Sequence, residues 1–171
     1  MRTLVRSVGR ASIGGEPLPS AFKAFEQNKI IIRRSEVSMF AGAPGTGKST
    51  LALALALRTS VPTLYISADT NAHTMAMRLA SMISGKNQTD VEYKLNTDVG
   101  WTKAVLQKGS HIVWSFESSP TLEDIAEEVE AFEELWGMPP ALIVLDNLMD
   151  VATDGGEEFA SMRAIMKEYV S

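Results

Sequence analysis

The eight residues Gly42-Ala43-Pro44-Gly45-Thr46-Gly47-Lys48-Ser49 constrain this chain more than any other stretch. They fit G-x-x-x-x-G-K-[ST], a loop that wraps a phosphate in backbone N–H groups. Glycines permit the backbone angles and the close approach that such a wrap requires. A helix has to begin at Lys48, so that its positive end faces the anion. The residues that follow, "LALALAL" from Leu51 to Leu57, alternate like a strand. Leu and Ala are nevertheless strong helix formers, and an all-apolar helix is what a buried crossover between parallel strands looks like. The pattern therefore predicts a helix near Lys48 to Arg58, preceded by a buried strand at Val37 to Ala41.

The same alternation of element types continues along the chain. Residues 21 to 29 read as a short amphipathic helix, and "KIIIRRSEVSMFAGAPG" as two β-rich runs around "RRS". Thr63 to Ser67, "HIVWSF" and "ALIVLD" read as strands. A helix near Asn71 to Ser84 carries Met75, Leu79, Met82 and Ile83 on one face, and residues 87 to 108 look like short helices. The clearest helix lies in "SSPTLEDIAEEVEAFEELWG", with Ser119 as cap, Pro120 in the first turn and Gly137 as stop. Leu122, Ile125, Val129, Phe132 and Trp136 form its apolar stripe. The acidic residues around that stripe read as a solvated face rather than a docking surface. "ATDGGEE" reads as a loop before a final helix. Strands alternating with helices predict an α/β fold, a mostly parallel sheet with helices on both faces. Residues 1–20 lack periodicity and read as a flexible basic arm, which leaves 21–171 as a single core.

A chain of 171 residues that is 45% hydrophobic and 22% charged suits one soluble domain. Its longest apolar run, Leu51 to Leu57, falls far short of the roughly 20 residues of a bilayer span, so no membrane partner is expected. The first residues, "MRTLVRSVGRASIGG", lack the apolar segment of a secretory signal. The absence of cysteine excludes disulfides, thiolate catalysis and zinc–cysteine sites, and suits a cytoplasmic location. The net charge of −5 is unevenly spread: residues 1–34 carry seven Lys/Arg against Glu16 and Glu26, so the rest is strongly acidic. After Lys108 the basic residues are Arg163 and Lys167 alone, which offers little of the charge that contacts nucleic-acid phosphates.

The phosphate loop implies a nucleoside triphosphate, ATP, with Mg²⁺. Gly42, Ala43, Pro44, Gly45, Thr46, Gly47, Lys48, Ser49 and Thr50 would line it. Lys48 reaches the β- and γ-phosphates and Ser49 coordinates the metal. "ALIVLD" ends a strand with Asp146, which suits the second position on the Mg²⁺ shell, against the simpler reading of a loop-capping Asp. Asn147 follows, where many AAA-type ATPases have a catalytic Glu, and Asn cannot act as a base. The remaining candidate is Asp69, just past the strand at Thr63 to Ser67. There it would orient water at the γ-phosphate, or else cap the next helix with Thr70 or Asn71.

These residues together resemble the RecA-like P-loop ATPases, and within them the ATPase domain of the DnaB-type replicative helicases, in a form like those encoded by actinobacterial phages. The resemblance runs through the Walker A loop Gly42 to Ser49, "YISADTNAHTMAMRLASMISG" and the Walker B strand "ALIVLDN". DnaB-type helicases carry a pattern like F-S-L-E-M-S-x-x-x-L-x-x-R-L. "ISADTNAHTMAMRL" is similar to it without a gap, with Ser67, Arg78 and Leu79 in step. Asp69 falls where that family has its catalytic glutamate, one methylene and about 1.5 Å shorter. The resemblance implies a motor ATPase with Lys48, Asp69 and Asp146 as catalytic residues. It also implies a hexameric ring or filament of identical chains, and single-stranded DNA engaged through segments not in this chain. The family's N-terminal primase-binding domain has no counterpart here, and "SMRAIMKEYVS" ends near the helix after Walker B. A fragment or split gene product is therefore expected, acting in the bacterial host cytoplasm.

Two other readings stay open. A P-loop kinase of a small molecule fits the size, but such kinases usually close an arginine-rich lid over the phosphates, and only Arg163 follows Arg78. A nucleotide-binding regulatory module without turnover fits the shorter Asp69. Trp101, Trp114 and Trp136 read as core rather than base-stacking platforms. His73 reads as an exposed helix residue. His111 opens a strand with no second ligand for a metal, and Arg33 and Arg34 read as a solvated turn.

Overall fold

The computed structural model describes residues 15–151. The loop expected at "ATDGGEE" with the final helix after it, and the first part of the basic arm, lie outside them. Residues 15–20 do not stand apart as an arm. Pro17 bridges Arg33 in an antiparallel pair, the Leu18 amide donates to the Ile32 carbonyl at 2.8 Å, and Leu18 is buried. The helix predicted over residues 21–29 is the shorter α1, Lys23–Gln27.

Among the described residues three strands form one parallel sheet: β1 (Thr63–Ser67) in the centre, β2 (Ile112–Ser115) on one side and β3 (Leu142–Asp146) on the other. All five residues of β1 are buried, the signature of a strand covered on both faces. Tyr65 stands opposite Trp114 and Val144, and Ser67 opposite Asp146.

The path from β1 to β2 crosses one face through α3 (Ala72–Ser84), α4 (Gln88–Thr97) and α5 (Val99–Leu106). The path from β2 back to β3 crosses the other through α6 (Leu122–Trp136). Opposite directions across the sheet with right-handed crossovers put their helices on opposite faces, and the cores agree. On the first face Leu53 and Ala56 of α2 (Lys48–Thr59) pack with Tyr65, Met75, Leu79, Ile112 and Val144. On the second, Ile125 and Phe132 of α6 pack with Leu64 and Ile66. A third cluster, Ala80, Val91 and Val105, ties α3, α4 and α5 together. The expected α/β architecture is the observed one.

"LALALAL" is helical throughout α2, with Leu53, Leu55 and Ala56 buried. Each fully buried leucine contributes about 1.5–3 kcal/mol, so the crossover helix is anchored by its own apolar content. Helix α6 keeps the predicted stripe and ends at Gly137, which takes the left-handed conformation (φ 69°). Its N-cap is Thr121 rather than Ser119. The Thr121 side chain accepts from the Asp124 amide while the Asp124 carboxylate accepts from the Thr121 amide, a reciprocal pair that only Thr121 has the right spacing to make.

The strand expected at Val37 to Ala41 is not formed. Val37, Met39 and Phe40 are 43%, 57% and 37% exposed, and no described residue pairs with this run in a strand ladder. An extended apolar run becomes a strand only when a neighbour accepts its backbone hydrogen bonds. Among the described residues, neither outer edge of the sheet, on β2 or on β3, takes this run as a partner. The three tryptophans pack against the three clusters, as expected, and His73 is exposed. The ring of His111 lies 3.1 Å from the Ala56 carbonyl through Nε2.

Candidate functional site

The loop before α2 has the geometry of an anion cradle. Gly45 and Gly47 have φ of 77° and 89°, a region that side-chain-bearing residues avoid. A Cβ on Gly42 would meet Thr46 Oγ1 at 3.0 Å. The loop is closed by Thr46, whose hydroxyl donates to the Ala43 carbonyl at 2.8 Å. Gly47 is the N-cap of α2 and offers no side chain to its first turn. The Leu51 amide donates to the Gly47 carbonyl at 2.9 Å. The amides of Lys48, Ser49 and Thr50 thus belong to the helix turn that lacks internal acceptors, and they sit at the positive end of the helix. Lys48 folds back over the loop, with Nζ donating to the carbonyls of Gly42 at 2.9 Å and Ala43 at 3.2 Å.

Asp146 ends β3 beside this helix. It is only 6% exposed. Its Oδ1 accepts from Ser49 Oγ at 2.9 Å, and its Oδ2 accepts from Tyr65 Oη at 2.8 Å. Ser49 and Asp146 therefore place two hard oxygen donors side by side next to the phosphate cradle, a donor set that suits Mg²⁺. The Asp146–Asn147 peptide is cis, and the Asn147 side-chain amide donates to Asp150 at 2.9 Å. Among the described residues no group of three or more His, Cys, Asp or Glu side chains is arranged to hold a metal.

Asp69 lies two residues beyond Ser67, at the same end of the sheet as Asp146. It is exposed, and its Oδ1 accepts from the Thr70 hydroxyl at 2.8 Å. It does not cap α3: Asn71 does, accepting from the Thr74 amide at 3.0 Å. The turn between β1 and α3 is held by Ser67, whose hydroxyl donates to the Thr70 carbonyl at 2.9 Å. The sequence-predicted Lys48, Ser49 and Asp146 are thus brought together, and Asp69 stands on the neighbouring strand end with its carboxylate open to solvent.

Tyr65 was missed from sequence. It is completely buried, and burial together with the Asp146 charge pushes its phenol well above the ordinary tyrosine value, so it is a neutral donor. In an apolar strand a tyrosine reads as a β-former. The one available signal was that a buried phenol needs a hydrogen-bond partner, and two strands to pair with offered few.

A family model described as "AAA domain" matches residues 27–169. The chain is 34% identical over 158 residues to the Gene 65 protein of Mycobacterium phage L5, covering 89% of this chain and 58% of that protein. It is also 34% identical over 135 residues to the Gene 65 protein of Mycobacterium phage D29, covering 72% of this chain and 55% of that one. The chain thus spans little more than half the length of these relatives. No described helix is long and apolar enough to cross a membrane. With a phosphate loop opening α2, a parallel RecA-like sheet and a family match over most of its length, the chain belongs to the AAA-domain family of P-loop ATPases.

Proposed function

We propose that the chain is the ATP-binding and ATP-hydrolysing motor domain of a DnaB-type DNA helicase, working in phage DNA replication or recombination. The observation that carries the reading is the 2.9 Å hydrogen bond between Ser49 and Asp146, which joins the phosphate loop to the end of the Walker B strand. The "ISADTNAHTMAMRL" segment supports the helicase-type assignment over other P-loop ATPases, and the phage relatives support the phage setting. The partner is single-stranded DNA, and the working assembly is a ring or filament of identical chains.

In this reading the loop amides and the first turn of α2 hold the phosphates of ATP. Lys48 exchanges its two loop carbonyls for phosphate oxygens, which replaces neutral acceptors by charged ones. Ser49 and Asp146 would hold Mg²⁺, which would supply neutralisation of the phosphate charge. Asp69 would orient the water that attacks the γ-phosphorus and take up its proton on the carboxylate oxygen left free by Thr70, as the bond to the departing ADP oxygen breaks. Its shorter reach than a glutamate predicts slow basal turnover.

The test is Mg·ATP hydrolysis by this chain with and without single-stranded DNA. DNA-stimulated turnover supports the motor reading. ATP binding with no turnover in either condition favours a regulatory nucleotide-binding module, which the shorter Asp69 also suits. Phosphate transfer to a small metabolite favours a kinase.

A further inference from the structure

The Asp146 carboxylate is gripped from two sides. Ser49 holds Oδ1 from the helix that opens the phosphate loop, and Tyr65 holds Oδ2 from the central strand. The register explains the second grip. Tyr65 stands opposite Val144 and Ser67 opposite Asp146, so Tyr65 and Asp146 share one face of the sheet on adjacent strands, one step apart along it. A side chain as long as tyrosine covers that diagonal, whereas phenylalanine would fill the same space and stop short of the carboxylate. The ring is fixed in turn. It lies 4.9 Å from the Trp114 ring, which stacks on Phe116 at 6.0 Å. Leu53 of α2 and Met75 of α3 pack in the same cluster.

A carboxylate held through one oxygen alone rotates about its terminal bond, because that torsion is soft. With Oδ2 tied to a buried phenol, Oδ1 is directed toward Ser49. Partners of this kind, one bond removed from a metal ligand, typically change metal affinity by about 10–100-fold when lost.

We propose that Tyr65 is a positioning residue for the divalent cation: its hydroxyl fixes the rotation of the Asp146 carboxylate and thereby sets the affinity for the metal that accompanies the nucleotide. The inference rests on Asp146 serving the cation, as argued above. Tyr65 itself touches neither nucleotide nor metal.

The experiment titrates Mg²⁺ into the chain in the presence of a fluorescent ADP analogue, and also measures binding of that analogue in EDTA. Wild type, Tyr65→Phe, Tyr65→Met, Trp114→Phe and Asp146→Asn are compared, each with its melting temperature. Both Tyr65 variants should raise the Mg²⁺ half-saturation about tenfold while leaving metal-free analogue binding unchanged. Trp114→Phe, which loosens the packing but keeps the hydroxyl, should lower the melting temperature without moving the half-saturation. Asp146→Asn should shift the half-saturation at least as far as either Tyr65 variant. A wild-type half-saturation in Tyr65→Phe beside a shifted Asp146→Asn overturns the role of Tyr65. Shifts that follow melting temperature across Tyr65→Phe, Tyr65→Met and Trp114→Phe overturn it as well, by reducing it to packing. An unshifted Asp146→Asn overturns the assignment of Asp146 on which the inference stands.

Discussion

Ser49 donates to Asp146 at 2.9 Å across 97 residues of chain, and this contact joins the two halves of the candidate site. Ser49 is placed by the start of α2 and Asp146 by the end of β3, so the contact depends on how α2 packs against the sheet. Leu53 and Ala56, one and two turns further along the helix, bury against Tyr65 and Val144 and set that packing. The site is accordingly a property of the core as much as of the loop.

Lys48 is the residue whose loss should be most damaging. Its ammonium already lies over the loop, 2.9 Å from the Gly42 carbonyl, and forms no ion pair with an acidic side chain among the described residues. Lys48→Ala should reduce ATP turnover by at least about a hundredfold, the scale for removing one preorganised donor from a developing charge. The loop backbone closes through Thr46 and does not need the lysine, so the melting temperature should stay near wild type. Wild-type turnover in this variant would remove the loop from the active site.

Asp69→Asn separates binding from chemistry. The side chain is exposed, contacts the Thr70 hydroxyl and carries no helix cap. Asparagine keeps the acceptor that Thr70 uses, so the turn should survive. Nucleotide affinity should be unchanged while hydrolysis falls to background, because an amide cannot take up a proton from water. Equal turnover in the variant and wild type would reduce Asp69 to a turn residue.

What was legible in the sequence follows from how local each cause is. The phosphate loop, α2 and β1 are specified by neighbours in sequence: glycine at the two positive-φ positions, helix formers in α2, a short β-branched and aromatic run in β1. The cap of α6 was also local, since Thr121 and Asp124 have capping-box spacing and Ser119 does not. The extended run at Val37 to Ala41 is different. Its composition suits a strand, but strand formation requires a partner elsewhere in the chain, and no local pattern states whether one exists. Tyr65 failed for the same reason. Its acceptor lies 81 residues away and becomes visible only when β1 and β3 are in register.

Acid should destabilise the fold through its helix caps. The amide of Thr121, and then its hydroxyl, hold the Asp124 carboxyl below the ordinary aspartate value. Asp98, the cap of α5, is lowered chiefly by the Trp101 amide, with help from Lys94. A carboxylate depressed in the folded state contributes stability that is fully present above its unfolded value, about 3.9. That contribution is lost as pH falls through the lower folded value. The melting temperature should therefore hold between pH 7 and 5 and fall below about pH 4. Asp124→Asn should melt lower than wild type at pH 7 and lose less on acidification. Circular-dichroism melts across this range check both statements, and a variant as acid-sensitive as wild type would clear Asp124 as a cause.

Phe132 tests whether the second face of the sheet is scaffold alone. It is completely enclosed on α6, packed with Leu64, Ile66 and Ile125, and its ring stacks on Trp136 at 5.5 Å. Truncating such a side chain removes its burial and leaves a cavity that the surrounding strands cannot close, for a loss of about 3–5 kcal/mol. That is a large part of the 5–15 kcal/mol that holds a typical domain together. Phe132→Ala should therefore shift the urea midpoint strongly downward. The groups that line the candidate site sit on the opposite face, with α2, Tyr65 and Asp146, and are separated from Phe132 by the sheet itself. Below its unfolding transition the variant should bind Mg·ATP with wild-type affinity. A tenfold or greater loss of affinity in the folded variant would mean that α6 reaches the site through the strand ends, and the division of labour between the two faces would have to be redrawn.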